Sequence, residues 1–263
     1  SYACQHNYKG TEVTTLGYRA GRYATGSYNT FVGADAGLGG TTSAPYSSGQ
    51  YNVAMGFEAM ENFTTANYNV AIGYQAAEDL TTGYNNTVIG ALAGESLTST
   101  IQTVLIGSYA GHAINSTDAN GTICIGNNAG QGITSGQYNT IIGYNAGDAM
   151  STSDQNTIIG YNAGTSLVTT GAQGSTLIGM QAGEDLTSGA YNTAIGRGAL
   201  RTMTTGQGNI AIGDQAMQYS PASTAINHVI GIGYAALNDA NTLSTAANES
   251  IAIGFGAGTN AGN

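Results

Sequence analysis

Apolar positions along this chain keep step with a recurring glycine. The residue before that glycine is Ile in most units, with Leu16, Val32 and Met55 as apolar substitutes, and Thr, Val or Ile stands two residues earlier. Apolar, β-branched residues at a spacing of two predict a short strand ending at each glycine. The glycine falls at Gly17, Gly33, Gly56, Gly73, Gly90, Gly107, Gly126, Gly143, Gly160, Gly179, Gly196, Gly213, Gly233 and Gly254, which makes fourteen units. Seven of the thirteen steps are 17 residues and the others run from 16 to 23. A short period sustained along a chain marks a solenoid, in which each unit buries its inner face against its neighbours.

Other columns complete the unit, counting the glycine as position 0. Position +3 is Ala in all fourteen units, from Ala20 to Ala257, and predicts a tight corner with room for one methyl. Position +4 is Gly in most units, which suits a bend with positive φ. Position +7 carries a large apolar residue in most units, among them Phe63, Leu80, Leu97, Ile114 and Leu167. Thr-Thr-Gly or a relative follows and reads as a turn. Position −4 is Asn at Asn29, Asn52, Asn69, Asn86, Asn139, Asn156, Asn192 and Asn209, a column suited to a hydrogen-bonded ladder. Seventeen residues are too few for a βαβ unit. The expectation is an all-β chain, a parallel β-solenoid (β-roll) of about fourteen coils. At the usual strand spacing the stack would be about 65 Å long. Residues 13–263 form this single repeat domain, and residues 1–12, with Tyr8 and Lys9 off the repeat, join it to a preceding segment.

Position −2 must point opposite to the Ile of position −1. It is apolar in twelve units, including Phe31, Val88, Leu105, Cys124, Ile141 and Leu177. With the Ile and Thr columns taken as the inner face, position −2 becomes a second apolar face, too long to leave bare on a monomer. The expected covering is other copies of the chain. A coil that folds over both faces by itself is the alternative.

The phrases "NTAIGRGAL" (192–200), "NTIIGYNAGDAM" (139–150) and "LTTGYNNTVIGALAG" (80–94) resemble the repeats of trimeric β-roll fibres. One such group is the head region of trimeric autotransporter adhesins, whose repeat is shorter. The Thr-Thr-Gly-x-x-Asn-Thr-x-Ile-Gly-x-x-Ala-Gly type resembles repeats of phage tail fibres and bacterial surface proteins. The resemblance runs from about Val13 to Gly258 and implies a homotrimer with an extracellular, virion or cell-surface location.

Composition narrows the functions. The formal net charge is −10 with five basic residues, Lys9, Arg19, Arg22, Arg197 and Arg201. Nucleic acid and anionic membranes are recognised by cationic patches, so neither is an expected partner. No apolar run of membrane-spanning length is present. Ser1 opens no signal-peptide pattern, as expected of a processed or excised chain. With Lys9 the only lysine, no phosphate loop can be written. His6, His112 and His228 show no metal-ligand spacing, and the position of His112 reads as a solvent-facing corner. Cys4 and Cys124 stand about 29 Å apart along the stack, too far for a bridge; Cys124 reads as a small buried hydrophobe. Glu61, Glu78 and Glu95 stack in successive coils at position +5, with Asp148 and Glu184 in the same column. They read as a solvated acidic edge. Tyrosines form two columns, Tyr28, Tyr51, Tyr68, Tyr138 and Tyr191 at position −5 and Tyr18, Tyr74, Tyr144, Tyr161 and Tyr234 at position +1. These read as corner packing, with stacking against sugar rings as the other use. The expectation is a chain that is not an enzyme and carries no cofactor or bound metal.

Extra residues fall near 38–49, 115–121, 165–174, 219–227 and 238–248, between position +7 and the next strand. Loops of this kind carry binding functions in solenoids. The candidate contacts are Pro45, Tyr46 and Ser47 in the longest step, Asp118 and Asn120 in the second, and Tyr219 and Pro221 in the fourth. The leading expectation is a structural and adhesive fibre segment, phage tail fibre or similar, that presents these loops to a host-surface glycan or protein receptor. The alternatives are a bacterial trimeric adhesin head and a monomeric solenoid that binds ice or a small ligand through a regular Thr array.

Overall fold

The computed structural model of the chain describes residues 2–7, 9–168, 171–219, 226–238 and 249–259. A three-residue strand precedes every repeat glycine. The chain divides into two compact units, residues 1–135 and 136–263. The first holds β1 (Thr14–Leu16), β2 (Thr30–Val32), β3 (Val53–Met55), β4 (Val70–Ile72), β5 (Thr87–Ile89), β6 (Val104–Ile106) and β7 (Ile123–Ile125). The second holds β8 (Thr140–Ile142), β9 (Thr157–Ile159), β10 (Thr176–Ile178), β11 (Thr193–Ile195), β12 (Ile210–Ile212), β13 (Ile230–Ile232) and β14 (Ile251–Ile253). Within each unit, strands consecutive in the chain pair in parallel with equivalent positions opposite one another. Ala71 faces Val88 between β4 and β5, and Ile158 faces Leu177 between β9 and β10. The fold is the all-β parallel solenoid that the repeat predicts. Among the described residues the only helical segment is one 3-10 turn, Thr117–Ala119.

The repeat glycine is fixed by two independent constraints. Its φ lies between 129° and 142°, a region that L side chains rarely adopt. A Cβ at Gly73 would also stand 2.4 Å from the carbonyl oxygen of Gly90 in the next coil. Beyond the glycine, left-handed residues recur at positions +2 and +4, as at Gln75 and Ala77, both with φ 51°. Their N–H groups point in opposite directions along the stack. Gln75 N–H donates to Phe57 O of the preceding coil at 2.9 Å, and Ala77 N–H to Ala93 O of the following coil at 3.0 Å. The corner thereby satisfies its backbone groups across coils as the strands do. Residues 2–7 lie against the first coil in the same way, with Cys4 N–H donating to Ala20 O and His6 N–H to Arg22 O, each at 3.0 Å.

The sidedness of the strands is the reverse of the expectation. Position −2 faces the coil interior: Phe31, Ala54, Ala71, Val88, Leu105, Cys124, Ile141 and Ile158 are fully buried. Positions −1 and −3 face outward, and from β2 to β13 every such residue is half-buried or more exposed. Met55 is 40% and Ile195 36% exposed. The Thr column at position −3 is therefore on the outer face, not the inner one. One apolar face of the sheet is still left uncovered, but it is the Ile column. Inside the coil, the residues of positions −2, +3 and +7 are buried together, as in the ring contact of Phe31 and Phe63, centroids 5.5 Å apart.

Volume inside the coil is shared between positions −2 and +4. Where position −2 is large, as in Phe31, Leu105, Ile158 and Leu177, position +4 is Gly37, Gly111, Gly164 and Gly183. In four of the six coils where position −2 is Ala or Gly, namely Ala54, Ala194, Ala211 and Gly231, position +4 is large, as Met60, Leu200, Met217 and Leu237, while Ala71 goes with Ala77 and Ala252 with Gly258. A Cβ at Gly183 would meet Leu177 Cδ2 of the same coil at 2.9 Å, and one at Gly231 would meet Met217 Cγ, the position +4 residue of the preceding coil, at 2.9 Å. Close packing leaves room for one of the two side chains, not both.

The Asn column is the ladder the sequence predicts. Asn69 Oδ1 accepts from Asn86 N–H and Asn86 Nδ2–H, both at 3.0 Å, while Asn69 Nδ2–H donates to Asn52 Oδ1 at 3.1 Å and to Gly83 O at 2.9 Å. Thr103 continues the run, its N–H and hydroxyl both donating to Asn86 Oδ1 at 3.0 and 2.8 Å. These side chains are buried and hydrogen-bonded within the fold, as buried amides must be.

Candidate functional site

The longest loop, between β2 and β3, is built against the first coil. Ser47 N–H donates to Tyr23 O at 3.1 Å, and Ser47 O accepts from Thr25 N–H at 2.7 Å. Ser47 is buried, and its hydroxyl accepts from Thr41 N–H at 3.3 Å. Its place is behind the loop rather than on its surface. Tyr46 stacks on His6 at 4.9 Å between ring centroids, and His6 stacks on Tyr23 at 5.3 Å. The guanidinium of Arg22 lies 5.0 Å from the rings of both Tyr2 and Tyr23. This cluster ties the N-terminal residues to the loop. Pro45 and Tyr46 form one wall of an open groove of about 550 Å³, with Lys9, Ser27 and Gln50 on the other sides. Its size matches clefts that take small molecules or an extended peptide or glycan segment.

The remaining predicted loop residues do not converge on this groove. Asp118 is exposed in the 3-10 turn, which Ser116 caps by accepting from Asp118 N–H at 3.1 Å. Asn120 Oδ1 accepts from Ile101 N–H at 2.8 Å and so holds the turn to the preceding coil. Tyr219 lies in the second unit, half exposed, on a smaller cavity with Arg197, Arg201 and Gln218. Pro221 lies outside the described residues.

Tyrosines of position −5 stand outward rather than filling corners. Tyr28, Tyr51 and Tyr68 stack face to face at 4.7 and 4.8 Å with planes within 5°, and each is at least 42% exposed. At position +1, Phe57 stacks on Tyr74 at 5.7 Å and Tyr144 on Tyr161 at 5.6 Å. Ser27 and Gln50 of the groove precede Tyr28 and Tyr51 in the chain.

The acidic edge is less uniform than its sequence suggests. Burial, with Asp79, Glu58, Glu61 and Glu95 nearby, pushes the Glu78 carboxyl up to about 7. Burial first, then Glu58 and Asp35, raises Glu61 as well. Glu95 is instead paired with His112 Nε2, which makes His112 a half-buried partner rather than a free solvent-facing corner. Position +2 adds carboxylates that the sequence reading passed over. Asp35, Glu58 and Glu61 have oxygens within 4.8 Å of one another. Asp35 is neutralised by a two-pronged pair with Arg19 at 2.6 and 2.7 Å, and Glu58 accepts from Gln75 Nε2 at 2.8 Å. Cys124 is fully buried and its thiol is pushed up to about 12 by burial, which makes it an inert core residue. Cys4 and Cys124 are both free thiols.

No protein family, curated protein or solved structure matches this chain.

Proposed function

We propose that this chain is a structural and adhesive segment of a homotrimeric extracellular fibre, of the phage tail fibre or surface adhesin kind. The observation that carries the reading is the outward Ile column with its Thr and Val flank, an apolar stripe in each unit. Stripes of that extent mark interaction surfaces. The partner best matched to a face that repeats with every coil is another copy carrying the same repeat. Three chains held in register would display three copies of each loop, so weak contacts at the Pro45–Tyr46 groove would add through effective concentration. The groove and its neighbouring Tyr28–Tyr51–Tyr68 stack suit a host-surface glycan or protein segment.

Solution mass by light scattering tests the reading. A value near three times 26.5 kDa supports it, and deletion of residues 41–46 should then weaken binding to host cells without changing the mass. A monomeric mass removes the fibre.

One observation favours a second reading. Thr140, Thr157, Thr176 and Thr193 occupy the outer position −3 in four consecutive coils, each beside an outward Ile. A monomer with that flat Thr-x-Ile face would suit ice or another ordered surface. Thermal hysteresis of a monomeric sample would establish it in place of the fibre.

A further inference from the structure

Three tyrosines of the first unit form a column whose spacing is set by the backbone. Tyr28, Tyr51 and Tyr68 are all left-handed, with φ of 60°, 57° and 57°, so their side chains leave the chain from equivalent positions. Tyr51 N–H donates to Ser27 O at 3.3 Å and Tyr68 N–H to Gln50 O at 3.0 Å. These bonds tie each position to the coil before it, and the rings repeat at the spacing of paired strands, about 4.8 Å. The column of tyrosines ends at Tyr68, because the next coil places Asn85 there.

The stack brings like phenols together where a reagent can reach them. All three rings are exposed, and Tyr51 has a phenol against each of its faces, at 4.7 and 4.8 Å between centroids. Exposed side chains reorient within picoseconds to nanoseconds. Carbons ortho to the hydroxyls of neighbouring rings therefore meet far more often than those of separate molecules, which is the advantage of an intramolecular reaction.

We propose that the Tyr28–Tyr51–Tyr68 column is a site of oxidative coupling, in which Tyr51 becomes bonded to Tyr28 or Tyr68 as dityrosine. The oxidant is a haem peroxidase with hydrogen peroxide. One electron and one proton leave each of two phenols, and together they reduce the peroxide to two waters as its oxygen–oxygen bond breaks. The two phenoxyl radicals join through a carbon–carbon bond ortho to their oxygens, and the hydrogen on each joined carbon moves to its own oxygen. The chain loses two hydrogens and its coils gain a covalent tie. Both cysteines are free, so no disulfide supplies one. A bond from Tyr28 to Tyr51 also spans residues 38–49, the segment that carries the Pro45 groove, and closes that loop onto the first coils. Tyr144 and Tyr161, stacked at 5.6 Å in the second unit, form a second pair of this kind. Phe57 with Tyr74 and Tyr234 with Phe255 stack likewise, but each pair holds a single phenol and cannot couple. The site depends neither on the adhesive reading nor on the state of assembly.

The test treats the purified full chain, in dilute solution, with a haem peroxidase and limiting hydrogen peroxide. Dityrosine fluorescence should appear while the denatured product keeps the mass of one chain. Peptide mapping by mass spectrometry should find Tyr51 joined to Tyr28 and to Tyr68, and Tyr144 joined to Tyr161. Tyr51→Phe keeps the central ring without its phenol and leaves Tyr28 and Tyr68 two coils apart. It should preserve the circular dichroism and reduce the links of this column to background, while the Tyr144–Tyr161 link remains. Tyr138 and Tyr191 are the internal comparison. They are more exposed, at 59% and 61%, but no tyrosine ring lies against them among the described residues. Links that run through Tyr138 and Tyr191 as often as through the stacks overturn the site. So do a main product that joins separate chains, links in the column that survive Tyr51→Phe, or no dityrosine at all.

Discussion

The ring of Phe31 occupies the space that a side chain at Gly37 would need: a Cβ there would stand 2.3 Å from Phe31 Cδ1. The same relation, with the roles exchanged, links Ala194 and Leu200, where the small residue is in the strand and the large one in the corner. Ala194→Leu should therefore overpack the coil, and Leu200→Gly should leave a cavity. Each should destabilise by about 2–4 kcal/mol. The double variant rebuilds the pairing found at Leu177 and Gly183 and should recover most of the loss. A double-mutant cycle by chemical denaturation reads the coupling; simple additivity would refute the shared volume.

Glycines in this chain are not equivalent. Gly73→Ala combines a forbidden φ with a contact of 2.4 Å to backbone and should cost more than about 3 kcal/mol. Gly198→Ala, at φ 65° with open space before it, should cost about 1 kcal/mol or less. Melting temperatures of the two variants compare these directly.

The carboxamide ladder should respond to chemistry rather than size. Asn69→Leu removes the acceptor of Asn86 N–H and Nδ2–H, leaving two buried donors unpaired, and should cost about 2–4 kcal/mol. Asn69→Ser should cost less, because Ser175 holds a rung of the same column and its hydroxyl accepts from Asn192 N–H at 3.2 Å. Equal losses for Leu and Ser would mean that the ladder contributes through packing alone.

Acidification should stabilise the fold. The Glu78 carboxyl is raised to about 7 from 4.5, so the folded chain holds this proton more tightly than the unfolded chain does. The contribution is complete below the unfolded value and is lost as pH rises through about 7. Glu61, Asp148 and Asp185 are raised by burial in the same direction. The melting temperature should fall between about pH 5 and about pH 8. Glu78→Gln should flatten that slope and stabilise the chain by about 1 kcal/mol at the upper end, after allowance for solvent screening. An unchanged slope would assign the effect to other groups.

Outward and inward positions of one strand should separate assembly from folding. Ile106→Lys and Ile159→Lys place a charge on the outer face of each unit and should turn a trimer into monomers with unaltered circular dichroism. Val88→Lys, inside the coil, should unfold it. Light scattering and a denaturation curve on the same samples give both readouts.

The repeat phase, a short strand before each repeat glycine and the Asn ladder were legible because each follows from one or two columns of residue types. The facing of the strands was not. Ile and Val at positions −1 and −3 are bulkier and more apolar than the Ala residues that often hold position −2, so bulk pointed the wrong way. A strand of three residues is also too short for alternation to correct it. The coil interior takes a large or a small residue at position −2, and its mark in the sequence is the exchange of size between Ala54 and Met60 or Leu105 and Gly111. The candidate sites were legible only as loops. The groove at Pro45 depends on where His6 and Tyr23 stack.

Positions −2 and +4 lie on either side of the repeat glycine, and this decides where the chain can be cut and rejoined. Excising residues 74–90 removes 17 residues and joins Gly73 to Ala91, but it sets Ala71 opposite Gly94 in place of its native partner Ala77, a coil one methyl short. Excising residues 83–99 removes 17 residues as well, yet Val88 and Gly94 depart together and every surviving pair stays matched. The module that can be gained, lost or shuffled without damage therefore runs from turn to turn. A gene that lengthens or shortens this protein by recombination has its safe crossover points in the Thr-Thr-Gly turns, not in the strands that first make the repeat visible.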